Sequence, residues 1–245
     1  MTDRQFRLGI SGADGRMGRA LQELLRDDPR FELAAKIARS EDWRQVSRLE
    51  VVVDFSTPAG FDAALAHCRG HRIALVSGTT GLDAKQKAAL ESAAREIPVL
   101  HAANFSLGIA VLTRVLREAV ATLPDWDLEI VEAHHARKVD APSGTALALG
   151  RAAAAARGQD FDKVAVRARD GQVGTRPPGA IGFASVRAGD IVGEHTAILA
   201  ITGERLELAH RASDRTIFAR GALAAAAWLA GKSPGAYSLD DVLDQ

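Results

Sequence analysis

Phe6-Arg7-Leu8-Gly9-Ile10-Ser11-Gly12-Ala13-Asp14-Gly15-Arg16-Met17-Gly18 runs from an apolar stretch through a glycine-rich turn into a helix start. Residues 6–10 read as a buried strand and residues 16–26 as a helix, so the glycines occupy the bend between them. Glycine lets a backbone come close to a ligand, and the amides that open a helix point outward with the positive end of its dipole. That order of parts holds the pyrophosphate in dinucleotide-binding folds, although the spacing here is G-x-x-G-x-x-G rather than G-x-G-x-x-G. Gly12, Ala13, Asp14, Gly15, Arg16 and Met17 are therefore candidate cofactor contacts. Asp14 is expected to face solvent, because a carboxylate repels a phosphate.

Further along, strand and helix signals alternate. Residues 31–38, 51–55, 73–77 and 99–101 read as strands, with Val51-Val52-Val53-Asp54-Phe55 typical of a run buried in a parallel sheet. Ser56-Thr57-Pro58 marks a helix start, and Asp83 caps another helix. Strands separated by helices of this length imply right-handed crossovers and a Rossmann-like, doubly wound α/β domain. Ligands in such sheets lie beyond the carboxyl ends of the strands, which adds Gly78, Thr79, Thr80, Ala102, Ala103, Asn104 and Phe105 to the candidates. The tip of the second strand reads Lys36-Ile37-Ala38-Arg39-Ser40, with no acid for a ribose before Glu41. Arg39 with Ser40 could hold a 2′-phosphate or could be an exposed loop arginine, and the reading leans to NADP over NAD.

The second half changes character. Residues 107–123 form a long helix stopped by Pro124. Strands are then expected over 127–132, 163–168, 182–186, 195–202 and 205–210, with one helix over 144–157, which makes an α+β segment with a mostly antiparallel or mixed sheet. A last helix spans 216–230 and ends at Gly231. Residues 104–108 are a candidate hinge. Lys plus Arg and Asp plus Glu are equal at 31 each, so no global field attracts nucleic acid or an anionic membrane. Cys68 is the only cysteine, which excludes an internal disulfide and a multi-thiolate metal site; it is expected to pack as a small apolar group. Without an apolar leader or a long uncharged apolar stretch, a soluble cytoplasmic protein is the default expectation.

The chemistry concentrates in Glu132-Ala133-His134-His135-Ala136-Arg137-Lys138-Val139-Asp140-Ala141-Pro142-Ser143-Gly144-Thr145-Ala146. Ser143 can cap the helix that follows, leaving the Gly144 and Thr145 amides to bind a carboxylate or phosphate. Adjacent histidines on a strand diverge, which argues against both holding one metal, and no metal site is expected. A histidine transfers protons near neutral pH, and a lysine among cations gives one up more easily. Glu132 and Asp140 either orient the histidines or are exposed. His67, His71, His101, His195 and His210 are taken as structural.

With these residues in view, the chain resembles the 4-hydroxy-tetrahydrodipicolinate (dihydrodipicolinate) reductase family over nearly its full length. The E-A-H-H-x-x-K-x-D-x-P-S-G-T-A run carries the likeness, together with Gly12 to Gly18, Val53-Asp54-Phe55-Ser56, Gly78-Thr79-Thr80-Gly81, Ala103-Asn104-Phe105-Ser106, Ile181-Gly182-Phe183 and residues 187–196. The resemblance implies a hydride passed from NADH or NADPH to a small cyclic imine dicarboxylate, with loss of its 4-hydroxyl as water, in lysine biosynthesis through diaminopimelate. It implies His134 and Lys138 as the catalytic proton carriers, and His135, Ser143, Gly144 and Thr145 as the substrate-binding residues. A dinucleotide-binding domain of residues 1–105 and 215–245, a substrate-binding and tetramerisation domain of residues 106–214, and a homotetramer follow from it. The family commonly has an acid near Ala38, and its absence here favours NADPH. Two other readings fit the sequence: a two-domain dehydrogenase related to aspartate or homoserine dehydrogenases, which would not need the H-H-x-x-K cluster, and a nucleotide sensor without turnover.

Overall fold

The computed structural model describes residues 5–38, 43, 46 and 48–244. Arg39 and Ser40 lie outside the described residues. The chain divides into two compact units, Met1–Leu107 with Thr216–Gln245, and Gly108–Arg215.

In the first unit, β1 (Phe6–Ser11), β2 (Phe31–Ile37), β3 (Val51–Asp54), β4 (Ala74–Ser77), β5 (Pro98–His101) and β11 (Gly235–Tyr237) form one parallel sheet in the order β11-β5-β4-β3-β1-β2. Val51, Val52 and Val53 are all fully buried, because both faces of a parallel sheet are covered by helices. Each valine contributes about 1.5–3 kcal/mol by leaving water. The helices α1 (Arg16–Leu25), α2 (Pro58–His71), α3 (Ala84–Ala93) and α7 (Thr216–Leu229) supply that cover. Thr57 caps α2 with proline at its start, and Asp83 with Gln86 forms a capping box on α3. Cys68 is buried in α2 among apolar side chains. Beyond α7, the chain adds β11 and the short α8 (Leu239–Leu243), neither of which the sequence reading foresaw.

The second unit carries a mixed sheet of β6 (Asp127–His134), β7 (Ala165–Val166), β8 (Ile181–Arg187), β9 (Gly193–Ile201) and β10 (Glu204–Ala212), in the order β10-β9-β6-β8-β7. β6 pairs antiparallel with β9 and parallel with β8. The helix α5 (Gly144–Ala156) lies against β6 and β8, and buried residues of α4 (Leu107–Thr122) join the same core, with Leu112, Leu116, Leu128, Ile130, Leu149 and Phe183 in its interior. One strand expectation fails. Where the sequence predicts a strand over residues 163–168, Asp160 accepts a hydrogen bond from the Asp162 amide and starts the single-turn α6 (Phe161–Val164), leaving only two strand residues after it.

Candidate active site

In the first unit a cavity of about 660 Å³ lies at the carboxyl ends of β1, β2 and β3, where the strand order reverses. Gly12, Asp14 and Gly15 from the turn, Ile37 and Ala38 from the end of β2, and Trp43 line it. Gly12 has φ +78°, and a Cβ there would stand 2.5 Å from the Phe55 carbonyl oxygen. At Gly18 a Cβ would stand 2.3 Å from the Gly12 oxygen. The turn therefore closes only without side chains at these positions. The Gly12 and Ala13 amides both donate to the Ile37 oxygen, at 2.9 and 3.1 Å, so they hold β1 to β2 rather than facing a ligand. Gly15 caps α1 with no side-chain hydrogen bond, which leaves the first-turn amides, those of Arg16 and Met17 among them, for an anion. Asp14 is exposed, as expected, but it also lines the cavity.

Neighbouring loops are stitched together by Asp54, which is fully buried at the end of β3. Its carboxylate accepts hydrogen bonds from Ser77 Oγ (2.8 Å), Thr79 Oγ1 (2.7 Å) and Ser56 Oγ (2.5 Å). His101 Nε2 lies 2.9 Å from the Thr79 oxygen. The Phe55 ring packs on Gly78 and meets Phe105 edge-on. Thus Gly78, Thr79, Thr80 and Ala102 to Phe105 sit on adjoining strand-end loops, although the cavity wall itself does not include them.

The second unit builds its site on one face of its sheet. Side chains alternate along a strand, so Leu128 and Ile130 of β6 enter the core while Glu132 and His134 continue the same face to the strand's end. Register brings Ser185 and His195 beside Glu132, and Arg187 beside His134. Arg187 grips the buried Glu132 carboxylate with both terminal nitrogens, at 2.7 and 2.9 Å. His134 Nδ1 lies 2.6 Å from Glu132 Oε2, and the Ser143 amide donates to Oε1 at 3.1 Å. Burial alone would raise the Glu132 pKa, but hydrogen bonds from Arg187, Ser185 and His134 hold it down at about 2. It is a fixed anion. The His134 ring is mostly covered, and a Cβ at Gly193 would stand 3.1 Å from its Nε2.

The loop after β6 is tied back to this corner. Arg187 Nη2 donates to the Asp140 oxygen at 2.6 Å, and the Ala136 amide to the Gly189 oxygen at 3.1 Å. Ser143 accepts a hydrogen bond from the Ala146 amide and so caps α5, and its Oγ lies 3.2 Å from His195 Nε2. Gly144 has open space around it. Lys138 Nζ pairs with Asp140 Oδ1 at 2.8 Å, and together with the Gly144 amide it holds that carboxylate below its ordinary pKa. His135 is lowered by burial and by Arg137, Arg215, His134 and Lys138, which favours a neutral imidazole. His195 is pushed down to about 4, first by burial and then by His134.

The structure thus gathers His134, His135, Lys138, Ser143, Gly144 and Thr145 at one end of the second unit's sheet. It moves His195 out of the purely structural group, since the ring touches Ser143 and stands edge-on 5.2 Å from His134. Arg187, Arg215 and Trp43 were missed. Arg187 and His195 follow Glu132 and Ser143 by 55 and 52 residues, and only strand register joins them. Among the described residues, no group of three or more His, Cys, Asp or Glu could hold a metal ion. No helix among them is long and apolar enough to cross a membrane.

A family model described as the N-terminus of dihydrodipicolinate reductase matches residues 6–105, and one described as the C-terminus matches residues 108–243. The chain belongs to the dihydrodipicolinate reductase family. It is an oxidoreductase that carries out the reductive step from 4-hydroxy-tetrahydrodipicolinate in lysine biosynthesis through diaminopimelate. Among solved structures it is similar to a dihydrodipicolinate reductase from Paenisporosarcina sp. TG-14 with bound dipicolinate, at 20% identity over 96% of this chain and 98% of that one, TM-score 0.77. A probable dehydrogenase from Thermotoga maritima shares 14% identity over 96% and 92% of the two chains, TM-score 0.58. The C. glutamicum DAP dehydrogenase in complex with DAP shares 14% over 100% and 99%, TM-score 0.54. At these identities the likenesses show the shared fold, and the family models carry the activity.

Proposed function

We propose that the first unit binds NADPH in preference to NADH, and that the second unit holds its cyclic dicarboxylate substrate beside His134 and Lys138. The observation that carries this reading is the corner where a fixed Glu132 carboxylate, His134, Lys138 and the capped start of α5 converge.

The glycine cradle and the uncapped first turn of α1 fit a pyrophosphate, and Trp43 offers a flat ring to the adenine end. At the end of β2, Ile37 and Ala38 offer no acid to ribose hydroxyls, which supports NADPH, with Arg39 as the residue to hold its extra phosphate. The bound nicotinamide supplies the hydride. The protein must then supply one proton net, since hydride replaces the 4-hydroxyl, which leaves as water, and any ring proton moved on the way must be taken up and returned. Lys138 Nζ donates, and His134 Nε2 gives or takes a proton. His135, Ser143, Gly144 and Thr145 hold the carboxylates, where a neutral imidazole and helix-start amides provide hydrogen bonds. Asp140 rests on the same donors, Lys138 and the Gly144 amide, that a substrate carboxylate needs. It is the group that the substrate displaces.

A homotetramer in the cytoplasm completes the reading. α5 covers one face of the second sheet, while register places Val131, Ala184, Val186 and Ile198 on the other, with Val186 46% exposed. The same face carries Glu129 with Arg169 and Arg176, and this mixed, partly apolar surface is the one proposed to meet a second copy of the chain. The test follows nicotinamide absorbance with enzymatically made substrate, using NADH and NADPH in parallel on the native protein and on His134→Gln. Turnover faster with NADPH and lost in His134→Gln is the expected result. A preference for NADH sinks the cofactor assignment, and full activity in His134→Gln sinks the role of His134.

A further inference from the structure

We propose that Glu132, clamped by Arg187, is a positioning residue that sets the tautomer of His134, keeping the proton on Nδ1 and leaving Nε2 as the atom that exchanges protons with substrate. This rests on the proton-carrying role given to His134 above.

Glu132 is fully enclosed, and besides His134 the partners of its carboxylate among the described residues are donors. Arg187 supplies two hydrogen bonds, the Ser143 amide one and the Ser185 side chain one. A carboxylate so surrounded stays ionised and can only accept. The 2.6 Å contact from His134 Nδ1 must then be a donated N–H, which fixes where the proton of the neutral ring sits. Nε2 is left with a lone pair in the neutral ring, or with a second, transferable proton in the charged one. Arg187 is held in turn by the Val186 and Asp140 oxygens, so the carboxylate has no freedom to turn away. The same arginine fixes the loop that carries Lys138. Gly193, with no side chain, clears the space beside Nε2. A carboxylate orienting a histidine in this way is a recurring catalytic device, and loss of the correct tautomer costs on the order of 10²- to 10⁴-fold in rate.

Glu132→Gln tests the assignment. The amide oxygen of glutamine can keep the Ser143 bond, while its NH₂ donates to His134 Nδ1 and drives the ring proton to Nε2. Nitrogen NMR of isotope-labelled histidine, with His134→Gln used to assign the signals, reads the tautomer directly. The native protein should show His134 protonated at Nδ1 at a pH where the ring is neutral, and Glu132→Gln should show Nε2. kcat should fall by about 10²-fold or more, with KM for substrate and cofactor changed only a few-fold. A native protein with its proton on Nε2 overturns the proposal even if Glu132→Gln does not fold, and so does Glu132→Gln with near-native kcat. Full activity in His134→Gln would instead defeat the underlying role of His134, leaving the tautomer measurement as it stands.

Discussion

The glycine turn of the first unit and the Glu132 to Thr145 corner of the second are both made to receive negative charge, by opposite means. In the turn the work falls to the backbone. Side chains are absent because a Cβ at Gly12 or Gly18 would collide with carbonyl oxygens, and the helix start presents its amides. In the corner, polar and charged side chains from three strands and a loop meet around one buried carboxylate. The first arrangement suits a phosphate, since backbone amides need no change of protonation to hold one. In the proposed function the second moves protons, through His134 and Lys138. Binding and chemistry are thus assigned to different materials.

Substitutions should separate the two. Lys138→Ala should have the largest effect, a loss of about 10²- to 10⁴-fold in kcat with cofactor affinity unchanged, measured by steady-state kinetics and by fluorescence titration with NADPH. Equal losses in kcat and cofactor affinity would show that the corner also serves to bind the nucleotide.

Acid should act next, and on the corner. His195 is held near 4 in the folded chain against 6.5 when free, so between those values the unfolded chain binds the proton and the folded one does not. Stability is therefore full above about pH 6.5 and falls as the pH drops toward 4, by up to about 3 kcal/mol. His67, His135 and His210 are lowered too and act in the same direction, whereas Glu132 adds its loss only below 4.5. Urea unfolding across this range should show the slope, and His195→Gln should flatten it. An unchanged slope would deny the burial of His195.

Gly18→Ala should be smaller and confined to the turn. The backbone contacts predict about 1–3 kcal/mol of destabilisation and weaker NADPH binding, with kcat at saturating cofactor largely kept. Thermal unfolding and titration check it. A kcat loss as deep as that of Lys138→Ala would erase the division between the two regions.

Some of this was legible in the sequence and some was not, for a physical reason. The glycine turn, the buried valines of β3 and the caps of α2, α3 and α5 are local signals, because each depends on residues a few positions apart. The sequence leaves Glu132 open between orienting the histidines and facing solvent, and ends the strand there; only the longer β6, reaching His134, puts the two side chains on one face. The short α6 departs from its β-like composition because a single aspartate cap outweighs it. Arg187 and His195 could not be found this way. Nothing near Glu132 in the chain announces a partner more than fifty residues on, and only the pairing of β6 with β8 and β9 brings them together.

The sequence by itself determined the parallel α/β unit, the mixed sheet that follows it, and the cluster of His134, His135, Lys138 and the α5 cap, since periodicity, caps and glycine turns act over short range. Tertiary structure alone decided that Glu132 is buried and ionised, that Arg187 clamps it, that Asp140 pairs with Lys138, and that the Gly12 and Ala13 amides serve the fold. Those outcomes depend on strand register and burial. Both are set by how the whole sheet packs.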